Sequence, residues 1–137
     1  TFPWRFYLIN NKLRSIILNQ YLINNNFTKE KQERLKKRFL TPSNLIIATQ
    51  NLSVSLEIQK EDYAACSCAI QNLMLSLTSD GVGSKWGTGK IINDEDIHKL
   101  IGIASTKEII IGFIWIGYGE KPSNIKRPPL DKIFMRR

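Results

Sequence analysis

Glycine is absent from the first 80 residues of this chain, and all eight glycines follow. Histidine occurs once, at His98, and cysteine twice, at Cys66 and Cys68. Each scarcity excludes something. A lone histidine rules out a multi-histidine metal centre. On a helix, side chains two residues apart point about 200° apart, so the two cysteines can neither bridge each other nor share a metal. Both are expected as small buried core residues. The lack of a disulfide framework suits a reducing compartment, and no signal peptide is visible, so a cytoplasmic location is expected. No apolar run approaches the roughly 20 residues a membrane span needs.

Catalytic motifs are equally sparse. A G-x-S-x-G elbow is missing, and His98 has no evident nucleophile beside it. No G-x-x-x-x-G-K-[ST] phosphate loop occurs. Gly81-Val-Gly83 matches part of a dinucleotide fingerprint, but it follows a helical pattern instead of opening one after a strand. Asp94, Glu95 and Asp96 stand at a helix start, where capping explains them.

What is present is enough for a packed protein. The 137 residues are 42% hydrophobic and 23% charged, which suits one globular domain over 1–137. The net charge of +8 favours an anionic partner. Phe2–Ile9 reads as a strand, with Pro3 at its start. Leu13, Ile16, Ile17 and Tyr21 carry helical spacing from Lys12 to Ile23. Thr28 opens a second helix, Lys29–Leu40, in which six residues are Lys or Arg and which Pro42 stops. No aromatic residues interleave with that charge, so a solvated face is favoured over a nucleic-acid contact. Asn44–Gln50 and Lys107–Gly117 read as strands, and Asn93–Ile101 as a short helix ended by Gly102. The tail, Tyr118–Arg137, is basic and loop-like, with Pro122, Pro128 and Pro129.

The stretch Asp62–Gly89 is the most informative. A nearly all-apolar helix, expected to start between Glu57 and Asp62 and to be buried all round, ends at Asp80-Gly81. It feeds a glycine-rich loop carrying Trp86. Such a loop lets backbone approach a flat or anionic ligand. With no catalytic side chain in sight, chemistry carried by a bound cofactor fits best.

Phe2-Pro-Trp-Arg-Phe-Tyr-Leu-Ile9, Tyr63–Leu75, Gly81-Val-Gly-Ser-Lys-Trp-Gly-Thr-Gly89, Ile110-Ile-Gly-Phe-Ile-Trp-Ile-Gly-Tyr118 and Lys126-Arg-Pro-Pro-Leu130 together resemble the FMN-dependent nitroreductase family, in its small single-domain branch. The resemblance implies an α+β fold, with a mixed central sheet flanked by helices. It implies a homodimer with FMN at the interface, the Tyr63–Leu77 helix in the dimer core, and ping-pong hydride transfer from NADH or NADPH to a nitroaromatic, quinone or related acceptor.

In that resemblance Lys85, Trp86, Gly87 and Thr88 form the flavin loop. Lys126 and Arg127 meet the FMN phosphate. Ser76, Leu77, Thr78, Ser79, Asp80 and Gly81 lie where the nicotinamide donor makes contact. For Trp86 a core role, for Ser76–Gly81 plain helix-end packing, and for the basic pair a solvated tail are the competing readings. The family's N-terminal segment, with an Arg-Arg-Ser-like run, has no counterpart before Thr1. The chain therefore reads as a fragment with a half-built phosphate site that holds FMN weakly or not at all. A flavin-binding member without turnover and a basic nucleic-acid-binding module are the alternative functions, and the glycine loop argues against the second.

Overall fold

The computed structural model describes residues 2–120 and 126–135. Thr1, Pro122 and the closing Arg136 and Arg137 lie outside the described residues. The elements run β1 (Trp4–Ile9), α1 (Asn11–Ile23), α2 (Lys29–Leu40), β2 (Asn44–Asn51), α3 (Leu56–Ser79), β3 (Gly83–Gly87), α4 (Glu95–Ile101) and β4 (Glu108–Gly117). Short 3-10 turns occur at Lys90–Asn93 and Leu130–Lys132.

Helix starts follow their capping side chains. Asn10 accepts from Leu13 N at 2.9 Å, Thr28 from Lys31 N at 3.3 Å and Ser55 from Ile58 N at 3.4 Å. Asp94 accepts from Asp96 N at 3.1 Å, so the acidic start of α4 is a cap, as its position indicated. Gly102 ends α4 at φ +77.

The sheet order is β1-β2-β4-β3, and every pairing is antiparallel. The α+β class is as expected; the mixed sheet is not seen, because the described strands contain no parallel pair. One face is covered by α1, α2 and α4, whose Ile17, Leu18, Phe39 and Ile97 pack with Leu45, Ile47 and Phe113. Helix α3 covers the other face, where Cys66 and Ile70 meet Ala48, Ile111 and Ile114.

Two expectations fail here. Gly83–Gly87 is a strand and not a loop, because β4 offers it a ladder from Gly83↔Gly117 to Gly87↔Phe113. Nor is α3 buried all round. Only Cys66 and Ile70 along it are fully buried, while Leu56, Tyr63 and Leu75 stand exposed. Cys68 is exposed for the same reason, whereas burial pushes the Cys66 thiol up to about 11.

A bulge sets the phase of β4. Ala48 pairs with Gly112 but Thr49 with Ile110, leaving Ile111 without a partner on β2. Ile111 and Gly112 therefore face the α3 side in succession, and alternation resumes one step out of phase. The shift brings Glu108 to the opposite face. There it accepts from Tyr7 Oη at 2.8 Å, from Thr49 Oγ1 at 2.5 Å and from Arg5 Nη1 at 2.8 Å. Burial, followed by the bond to Glu108, raises the Tyr7 phenol above the usual tyrosine range. The neutral, donating phenol is thus retained, and the stability it adds declines only as pH rises through the tyrosine range.

Two stability outcomes are expected. A Cβ on Gly112 would lie 1.9 Å from Trp86 Nε1. Gly112→Ala should cost about 1–3 kcal/mol in urea unfolding, with partial recovery when Trp86 is shortened to Leu. At the carboxylate, the Arg5 side chain is 58% exposed, so its ion pair adds little. Glu108→Ala, which strands the Tyr7 and Thr49 hydroxyls, should cost about 1–3 kcal/mol and exceed the cost of Arg5→Ala. Equal losses would show that the ion pair dominates.

Candidate functional site

Residues Gly81–Gly89 and the surfaces beside them form the candidate site. The chain enters from α3 through a Schellman turn. Val82 N donates to Leu77 O at 2.8 Å and Gly81 N to Thr78 O at 3.1 Å. Gly81 sits at φ +74, a conformation costly for any residue bearing a Cβ. Strand β3 then runs along the outer side of β4. As the last strand of the sheet, it leaves one row of N–H and C=O groups unpaired within the sheet.

Successive β3 side chains point to opposite faces. Trp86 turns toward α3, packs among that side's apolar residues, and donates its indole N–H to Ile111 O at 3.2 Å. Lys85 turns toward α2. There it lines a cleft of about 500 Å³ with Arg34, Lys37 and Arg38 at the rim and Trp115 below. A smaller hollow of about 70 Å³ adjoins it, sharing Arg38 and Trp115, and is bordered by Gly87, Thr88 and Gly89. Gly89, at φ +119, has open space where a Cβ would stand.

The predicted residues therefore divide into groups. Lys85, Gly87 and Thr88 border the α2-side hollows, while Trp86 lies on the far side of the strand. Ser76–Gly81 form the exposed end of α3, apart from Leu77, which packs inward. Two of their hydroxyls are bonded back into the helix, Thr78 to Met74 O and Ser79 to Ser76 O, each at 2.8 Å. Lys126 and Arg127 are exposed, and among the described residues no hydrogen bond or ion pair ties them to β3.

Arg34, Lys37 and Arg38 were not anticipated as site residues. Their i, i+3, i+4 spacing placed them on one face of α2, but nothing local revealed that β3 would stand opposite. No helix among the described residues is long and apolar enough to cross a membrane. No cluster of potential metal ligands occurs among them either.

Comparison with known proteins agrees with this architecture. The model of the nitroreductase family matches residues 1–118. The Bacillus subtilis protein named "Putative NAD(P)H nitroreductase YfhC" is 29% identical over 98% of this chain and 72% of its own length. A crystal structure of a nitroreductase-like family protein from Bacillus cereus superposes with TM-score 0.80 and 28% identity, covering 98% of this chain and 73% of that one. A variant of the FMN and NADPH-dependent nitroreductase NfnB, from Sphigopyxis sp. strain HMH, shares the fold at TM-score 0.78 and 11% identity, covering 98% and 79%. An α+β sheet of this topology, an α3–β3 turn built on glycine and a family match over most of the sequence lead to one conclusion: the chain belongs to the nitroreductase family, whose chemistry is oxidoreduction.

Proposed function

We propose that the protein is an FMN-dependent NAD(P)H oxidoreductase that reduces nitroaromatic, quinone or related acceptors in a ping-pong cycle. The observation that carries this reading is the free edge of β3 together with Gly89 just beyond it, where open space stands in place of a Cβ. A flat ring can lie against such an edge with no side chain in the way. The names of two similar proteins support it: NfnB is called FMN and NADPH-dependent, and YfhC an NAD(P)H nitroreductase.

In this reading Gly87 and Thr88 present backbone donors to the flavin, and Trp86 stiffens the strand from behind. Lys85 contributes through its backbone, because its side chain faces α2. Lys126 and Arg127 hold the phosphate, Arg127 in a two-pronged contact. Ser76, Leu77, Thr78, Ser79, Asp80 and Gly81 border the donor. When bound, FMN supplies the hydride relay between donor and acceptor. The chain's own part is to fix the ring plane and to offer N–H groups where negative charge collects.

A homodimer completes the proposal. Leu56, Tyr63 and Leu75 on α3 and Leu8 on β1 are large, apolar and exposed on the α3 side of the sheet. A second copy of α3 would cover them. The small residues Ala64, Ala65 and Ala69 would let two helices approach closely.

FMN-loaded protein mixed with NADH or NADPH in a stopped-flow instrument should lose its oxidised-flavin absorption band and regain it with a nitroaromatic or quinone. Failure of both donors would leave a flavin-binding protein without turnover. Arg127→Ala should weaken FMN binding by about 1–3 kcal/mol. An unchanged dissociation constant would remove Arg127 from the site.

A further inference from the structure

We propose that the cleft between α2 and β3 binds a small aromatic anion, and that this site is separate from the flavin edge. The cleft holds about 500 Å³, within the range of pockets that enclose small organic molecules. Four cations line it: Arg34, Lys37 and Arg38 from one face of α2, and Lys85 from β3. Among the described residues none of the four makes an ion pair. The one carboxylate in the lining is Glu120.

Lys37 and Arg38 have an alternative explanation, since cations favour the last turn of a helix. Lys85 does not, because it comes from another element and converges on the same space. The interior of the cleft supplies the second requirement. Trp115, buried on the α2 side of β4, forms an apolar floor beneath the charged rim. A flat apolar body with an anionic end matches both parts. A bare anion would use the rim alone. A nucleic-acid backbone needs a longer basic track, and Glu30 and Glu33 interrupt α2. The proposal goes beyond the flavin reading and does not rest on it.

Isothermal titration of the protein with 2-naphthyl phosphate, with and without saturating FMN, tests this. Binding is expected in both samples. It should be at least about tenfold tighter than that of inorganic phosphate or 2-methoxynaphthalene, which each supply half of the ligand. Lys37→Gln/Arg38→Gln should weaken it about tenfold or more. Lys36→Gln should not, because Lys36 is paired with Glu33 at 2.7 Å.

Four results would overturn the proposal. The first is no measurable binding. The second is equal binding of inorganic phosphate. The third is loss of the probe when FMN is added, which would assign it to the flavin's own contacts. The fourth is displacement by a short DNA duplex whose affinity falls in the same double variant, which would mark a phosphate-backbone surface instead.

Discussion

The indole of Trp86 occupies the space that a Cβ at residue 112 would take, and its N–H reaches the carbonyl of Ile111. That carbonyl belongs to the bulged residue, the one interior β4 position without a partner on β2. The irregularity in β4 and the seating of β3 are thus one device. The bulge provides an acceptor, Gly112 provides room, and Trp86 fills both. The edge strand needs this anchor because it gains ladder bonds on one side only. On the opposite face the same phase change delivers Glu108 to Thr49, Tyr7 and Arg5. Without it, a carboxylate would sit among the apolar residues that meet α3.

Much of this was legible before the fold was known. Helix boundaries follow Asn10, Thr28, Gly81 and Gly102, residues whose side chains or backbone freedom act locally. Both central strands stood out as apolar runs. Of the two edge strands β1 stood out as well but β3 did not, since Gly83–Gly87 has neither apolar alternation nor β-branched residues, and its strand character comes from β4. The extent of α3 burial was not legible, because an apolar composition says that a surface avoids water without saying which molecule covers it.

Legibility of the site divides in the same way. The glycine segment that borders it was evident from composition. The pairing of α2 with β3 was not. Arg34, Lys37 and Arg38 read as a solvated face, and only the sheet order β1-β2-β4-β3 sets Lys85 across from them. Long-range placement of this kind leaves no trace in residue spacing. Lys85 and Trp86 show the converse. Neighbours in sequence, they were expected at one ligand, yet the pleat sends them to opposite sides of the strand.

The join between α3 and β3 has a mechanical consequence. The helix ends at Ser79, the strand begins at Gly83, and two hydrogen bonds close the turn between them. So short a connection holds no slack. Sliding α3 along its axis would drag Gly83 with it, and Gly83 borders the cleft under α2. Whatever settles against the outer surface of α3 therefore shares a lever arm with a cavity on the other face of the sheet.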